Sequence, residues 1–303
     1  MKKLLEKTLK DCVGYTNLGA VASYIPELSK ADPADFGICV VSDDGEMNAV
    51  GDCNKLFTMQ SVIKPIILLL ALEDNGTEVV NRLCGVEATG KPFDAFNYSD
   101  RALTSEHINP MINAGAIALC TLIKGDTYEE KFARLLELAR RLSGNESLSV
   151  NEAVYRSEKA TGNKNRALGY MLKAYNMIDG DIEDVLDTYF KACSIQATCC
   201  DLAKIAFVLA NHGYCKGEQI VSREHARYVN AIMAICGMYD GSGEFALKVG
   251  IPAKSGVGGG IMAVAPRRMG IGIYFPALDA KGNSIAGVKA LEMFGKEIDL
   301  SVF

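Results

Sequence analysis

Histidine is scarce in this chain, and its ten cysteines include no Cys-x-x-Cys pair. His107, His212 and His225 lie far apart, which speaks against a zinc site of ordinary ligand spacing. No apolar run approaches the length of a membrane-spanning helix. The opening Met1-Lys2-Lys3-Leu4-Leu5 begins like a signal peptide, but Glu6, Lys7, Lys10 and Asp11 break any apolar core. Lysine and arginine are scattered and the net charge is −5, so there is no basic field for nucleic acid. Internal repeats and low-complexity tracts are also missing. What remains is a globular chain of 303 residues, 49% of them hydrophobic, enough for a single catalytic domain of two lobes. It is expected to be cytoplasmic, with neither membrane nor nucleic acid as a partner. A chain this long does not need a disulfide scaffold, so the cysteines read as reduced, mostly buried thiols.

Along the chain, Leu4 to Val13 and then Val21 to Leu28 read as helical, interrupted by Pro26 and the polar stretch through Asp35. Phe36 to Val41 is apolar and β-branched, Asp43-Asp44-Gly45 is a turn signal, and Met47 to Val50 completes a hairpin. From about Ser61 to Asn211 the pattern is helical. Glu129 to Leu142 carries Phe132, Leu135, Leu136, Leu138, Ala139 and Leu142 at helical spacing and stops at Gly144. Thr198 and Asp201 resemble a capping box for a further helix. Gly260 to Val264 and Met269 to Phe275 read as strands, 279–283 as a turn, and Ser284 to Lys296 as a closing helix. Strands near both ends thus flank a helical insertion. The architecture expected is α/β (α+β): a mixed antiparallel sheet with terminal helices, residues 1–60 and 222–303, plus an inserted α-helical lobe, 61–221, with the site in the cleft.

Ser61-Val62-Ile63-Lys64 carries the chemistry. Residues i and i+3 share one helix face, so the lysine amine can reach the serine hydroxyl. A Ser-x-x-Lys match arises roughly once by chance in a chain of this composition. Its context sets this one apart: Val62 to Leu72 has no polar face after Lys64, the pattern of a helix buried on all sides. A lysine in the first turn of such a helix is costly unless it is used, and burial favours the neutral amine that a base needs to be. Unpaired N–H groups at the helix start would also favour a developing oxyanion. Far downstream, Lys254-Ser255-Gly256-Val257-Gly258-Gly259-Gly260 supplies a glycine-rich run that permits close backbone approach.

Together these two segments resemble the serine-active penicillin-binding proteins and β-lactamases, which carry a Ser-x-x-Lys helix, a Ser-x-Asn loop and a Lys-Thr/Ser-Gly edge strand. Asn113 would serve the second motif, but neither Met111 nor Ile112 before it bears a hydroxyl, and that departure counts against penicillin chemistry. The chain is more similar to the serine-dependent glutaminases, which share the β-lactamase/transpeptidase-like fold. The stretches that carry this resemblance are 19–28, 57–64 and 109–116, then Ser157-Glu158 with 163–168, Tyr189 ahead of 193–195, 238–243 and 254–260, all in order. The resemblance implies hydrolysis of L-glutamine with Ser61 as nucleophile, Lys64 as base and Tyr239 assisting. It implies substrate contacts at Tyr24, Gln60, Ser61, Asn113, Glu158, Asn165, Tyr189, Tyr239 and Val257, no cofactor, and a homo-oligomer, dimer or tetramer. These residue types suit that substrate, since glutamine presents an ammonium for Glu158, a carboxylate for neutral donors, and an amide carbonyl for the N–H groups of Ser61 and Val257. A β-lactamase or penicillin-binding-protein-like hydrolase is the alternative, disfavoured by the cysteines, the absent export signal and the missing Ser-x-Asn.

Overall fold

A computed structural model describes residues 1–90 and 104–303. Asp43-Asp44-Gly45 turns the chain between β1 (Gly37–Ser42) and β2 (Met47–Gly51), with Gly45 at φ 81°, where a side chain would be strained. β3 (Phe57–Thr58) pairs with β4 (Gln196–Ala197), and β5 (Tyr214–Cys215) with β6 (Glu218–Gln219). β7 (Ala253–Ser255), β8 (Gly260–Ala265) and β9 (Met269–Tyr274) follow late in the chain. The main sheet runs β2-β1-β9-β8-β7, antiparallel at every pairing. Both ends of the chain therefore build one sheet.

The helices in chain order are α1 (Lys2–Cys12), α2 (Lys64–Leu83), α3 (Asn113–Leu122), α4 (Tyr128–Ser143), α5 (Glu152–Thr161), α6 (Asn163–Ala174), α7 (Ile182–Cys193), α8 (Cys199–Ala210), α9 (Arg223–Cys236), α10 (Ser242–Lys248) and α11 (Ile285–Glu297). Successive strand residues point to opposite faces, and the cores follow that rule. Ile38, Val40, Ile261, Ala263, Ile271 and Ile273 join Leu5 and Cys12 of α1 and Ala290, Leu291 and Phe294 of α11. Cys39, Val41, Met262 and Val264 turn the other way, into the core shared with the central helices. On that side α8 lies almost on the backbone of β9. A Cβ at Gly270 would sit 2.1 Å from the Phe207 nitrogen, and one at Gly272 1.9 Å from the Cys199 carbonyl oxygen. Two glycines two residues apart thus let a helix seat directly on the sheet.

Local signals account for several boundaries. The Thr198 hydroxyl accepts from the Asp201 N–H at 3.2 Å and Asp201 Oδ2 accepts from the Thr198 N–H at 2.9 Å, the expected capping box of α8. Gly144, at φ 60°, ends α4 in the left-handed conformation. Val62 to Leu72 is buried without interruption, as its unbroken apolar pattern predicts. One expectation is overturned: Val21 to Leu28 does not form a helix. Ala20 instead exchanges backbone hydrogen bonds with Leu278 at 3.1 and 2.9 Å, which holds the chain extended, and Ile25 is also extended ahead of Pro26. Pro26 starts a short 3₁₀ turn, Pro26–Lys30, rather than interrupting a helix, because its fixed φ suits a first helical position.

Candidate active site

The serine is set by a short strand and a strained turn. β3 brings the chain alongside β4, the Met59 N–H donates to the Ile195 carbonyl at 2.8 Å, and Gln60 takes a left-handed φ of 48°. A 3₁₀ turn over Gln60–Ile63 then feeds α2, whose first residue is Lys64. Side chains at i and i+3 eclipse in a 3₁₀ turn, so this geometry brings Lys64 over Ser61 more directly than the α-helical start expected. Ser61 is 6% exposed and Lys64 is fully buried. Left-handed backbone at a non-glycine residue costs on the order of 1–3 kcal/mol. The site holds two such residues, since Tyr239, in the 3₁₀ turn Tyr239–Gly241, has φ 56°.

Lys64 Nζ donates to Asn113 Oδ1 at 2.6 Å and to the Met111 carbonyl at 3.3 Å. Asn113, the first residue of α3, is the hub: its Oδ1 also accepts from the Tyr189 hydroxyl at 3.3 Å, and its Nδ2 donates to Asn165 Oδ1 at 2.9 Å. Four side chains from α2, α3, α6 and α7 are thereby locked into one network. Burial raises the pKa of the Tyr239 phenol, against the opposing influence of the Ser61 hydroxyl. Behind the tyrosine, Lys254 Nζ is 4.2 Å from the centre of its ring and donates to the Ser255 carbonyl at 2.5 Å. Burial, then the neighbouring Lys64 charge, hold Lys254 far below the ordinary lysine range.

Ser61 opens onto a cavity of about 350 Å³. Tyr24, Gln60, Asn113, Glu158, Asn165 and Tyr189 line it with Ser61, so seven of the residues picked from sequence meet in one space. Lys64, Tyr239 and Val257 are not in its wall; Val257 lines the neighbouring hollow. Glu158 is 5% exposed and accepts from Gln60 Nε2 at 3.4 Å; burial pushes its pKa up to about 8, against that hydrogen bond and the Lys64 charge. Larger depressions of about 610 and 630 Å³ exist elsewhere, but their linings share no residue with this network.

The glycine run closes the site from the sheet side. β7, which contains Lys254, is the edge strand of the main sheet. A Cβ at Gly256 would stand 2.7 Å from the Met59 carbonyl oxygen, and one at Gly258 2.3 Å from that of Thr58. The backbone around Val257 can therefore press against the segment that carries Ser61. Sequence reasoning gave no role to Lys254, although it opens the glycine-rich motif. It also passed over Thr161, Lys164 and Cys193, which line the cavity beside the predicted residues. Lys164 lies within the family-like stretch 163–168 and Cys193 opens the stretch 193–195; nothing local marks Thr161.

A family model described as Glutaminase matches residues 19–303. The chain belongs to the glutaminase family. Its relatives include Glutaminase 2 of Clostridium perfringens and a glutaminase of Clostridium tetani, each 50% identical over 305 aligned positions that cover all of both chains. Among solved structures, a probable glutaminase from Bacillus subtilis complexed with 6-diazo-5-oxo-L-norleucine is 38% identical with a TM-score of 0.91, covering all of this chain and 97% of that one. A Bacillus subtilis glutaminase in covalent complex with 5-oxo-L-norleucine is 37% identical, also with a TM-score of 0.91, covering 100% and 99%. The glutaminase fold here is accordingly the β-lactamase-like one expected. Among the described residues no helix is long and apolar enough to cross a membrane, and no three His, Cys, Asp or Glu side chains are placed to hold a metal.

Proposed function

We propose that the protein hydrolyses the side-chain amide of L-glutamine through a γ-glutamyl ester on Ser61, giving L-glutamate and ammonia. The observation that carries this reading is a cavity lined by Ser61, Asn113 and one buried carboxyl group, Glu158, with Asn113 hydrogen-bonded to the buried amine of Lys64. Glu158 takes the α-ammonium. Asn113, Asn165, Tyr189 and Tyr24 hydrogen-bond the amino-acid end, and Gln60 holds Glu158 in place. A neutral lysine has two N–H groups to donate to Asn113 Oδ1 and the Met111 carbonyl, and a lone pair with which to take a proton.

Ser61 Oγ attacks the amide carbon as its proton passes to Lys64 Nζ. The carbonyl oxygen becomes an oxyanion, stabilised by the N–H groups of Ser61 and Val257, a contribution of ~10²–10³ in rate per donor. Tyr239 relays the proton towards the departing nitrogen, the C–N bond breaks, and ammonia leaves. Water then attacks the ester carbon, and Ser61 regains its proton. The ten free thiols support a reducing compartment, the cytoplasm. The dimer or tetramer implied by the family resemblance belongs to the same proposal and is checked by light scattering.

The test uses the reagent named for the Bacillus subtilis relatives. Incubation with 6-diazo-5-oxo-L-norleucine is expected to add one 5-oxo-norleucyl group to the peptide carrying Ser61 and to none in Ser61→Ala, in parallel with loss of ammonia release from glutamine. Labelling elsewhere, or turnover by Ser61→Ala, would end the serine mechanism.

A further inference from the structure

Among the described residues, seven other than glycine have a left-handed φ, and of these only Gln60 and Tyr239 are buried. The other five lie in turns that are at least partly exposed. Glycine takes such a backbone without strain, so a buried tyrosine at φ 56° needs something to hold it there.

Hydrogen bonds on both sides of Tyr239 supply that hold. Upstream, Gly237 ends α9 against β7: a Cβ there would lie 1.7 Å from the Ala253 carbonyl oxygen, and the Gly237 carbonyl accepts from the Ser255 N–H at 3.2 Å. Downstream, the hydroxyl of Ser242 reaches back over the turn. Its Oγ accepts from the Met238 N–H at 3.1 Å and donates to the Tyr239 carbonyl at 2.9 Å. The Met238 carbonyl in turn accepts from the Gly241 N–H at 3.0 Å and from Asn283 Nδ2 at 3.3 Å. Met238, Tyr239 and Ser242 are all buried, so these backbone groups have no easy substitute in water.

We propose that Ser242 is a positioning residue for glutamine hydrolysis, whose hydroxyl fixes the left-handed backbone at Tyr239 and with it the direction of the phenol. The proposal rests on the reading above in which Tyr239 relays a proton. Ser242 is not in the wall of the cavity that holds Ser61, so it acts through the tyrosine and not on the substrate. A helix cap does not account for its contacts. Ser242 opens α10, and a capping hydroxyl accepts from an N–H two or three residues ahead. This one accepts from an N–H four residues behind, and α10 has no side-chain cap. Without the hydroxyl, the Met238 N–H and the Tyr239 carbonyl lose this partner and the tyrosine can relax toward an unstrained φ. Because Gly237 is pinned to β7, that rotation swings the side chain.

The experiment is a double-mutant cycle on ammonia release from glutamine, with Ser242→Ala and Tyr239→Phe. Each single variant should be slower than wild type. A misplacement of about 1 Å costs up to ~10²-fold, so Ser242→Ala should lower kcat ~10–100-fold. Its KM should stay within about twofold, because other residues hold the amino-acid end of glutamine. In the Tyr239→Phe background the same change should cost less than about twofold in kcat, since no phenol remains to be aimed. Melting temperature serves as the control: Ser242→Ala should lower it equally in both backgrounds, whereas general damage to the fold would slow both. Ser242→Thr, whose hydroxyl can make the same backward bond, should keep kcat within about threefold of wild type. Should the alanine variant not fold, Ser242→Cys, with its weaker S–H donor, takes its place in the cycle with the same expected pattern.

Multiplicative losses in the double variant, wild-type kcat in Ser242→Ala, or a Ser242→Thr as slow as Ser242→Ala would overturn the inference and leave the role of Tyr239 standing. Wild-type kcat in Tyr239→Phe would overturn the proton relay and the inference with it.

Discussion

Replacing Glu158 with glutamine tests the orientation of the substrate, and its size follows from the burial of that carboxyl. With a pKa near 8, Glu158 in the empty site is about nine-tenths protonated at pH 7, because burial penalises the carboxylate. A bound α-ammonium requires the charged form, so binding at pH 7 first costs about 1.4 kcal/mol of ionisation. Truncating one partner of a buried charge pair typically costs ~2–5 kcal/mol. Glu158→Gln escapes the ionisation term, and the net loss in kcat/KM for glutamine at pH 7 is about 0.6–3.6 kcal/mol, or roughly threefold to four-hundredfold. The assay is ammonia release from glutamine and from its des-amino analogue, taken as a ratio so that titration of the catalytic groups cancels. From pH 5.5 to pH 7, below the substrate amine's own titration, the carboxylate fraction grows about thirtyfold, and the wild-type ratio should grow with it. In Glu158→Gln the ratio should be flat. A flat wild-type ratio, or equal losses on both substrates in the variant, would refute the assignment of Glu158 to the ammonium.

The same carboxyl governs stability in the opposite sense. Its folded pKa is raised, so between pH about 4.5 and 8 the native protein keeps a proton that the unfolded chain has released; its stabilising share is full below that window and falls as pH rises. Ligand-free Glu158→Gln should therefore gain on wild type in melting temperature from pH 5 to pH 8, by up to ~3 kcal/mol at pH 7, and a constant difference would refute this. Ser61→Ala and Lys64→Ala should each lower kcat at least ~10⁴-fold, with the double variant scarcely worse because the two act as one unit; multiplicative losses would give the lysine a separate role. Gly258→Ala places a Cβ 2.3 Å from the Thr58 carbonyl and should lower kcat ~10²–10³-fold by displacing the Val257 N–H, with ammonia release as the readout. Gly270→Ala should instead lift α8 from the sheet and cost at least ~3 kcal/mol in urea unfolding; an unchanged midpoint would mean that the backbone yields easily there.

Much of the fold was legible because its signals are local. The hairpin turn at Gly45, the helix stop at Gly144 and the capping box of Thr198 and Asp201 each involve residues within four positions of one another. Their hydrogen bonds and backbone angles are nearly the same in any context. Val21 to Leu28 misled because its apolar pattern fits a helix, while the hydrogen bonds that settle its conformation come from Leu278, more than 250 positions away.

The candidate site divides in the same way. Spacing alone put the Ser61 hydroxyl and the Lys64 amine within reach of each other, and the unbroken apolar run behind them determined that the lysine would be buried. Family resemblance then named the distant partners. Only the tertiary structure decided that Asn113 binds Lys64, Asn165 and Tyr189 at once, and that Lys254 stands over the Tyr239 ring. Those contacts join residues tens of positions apart, and what brings them together is the packing of the central helices against the sheet. A sequence specifies such packing through the sum of many weak contacts, so no single short stretch of it records which side chains will meet.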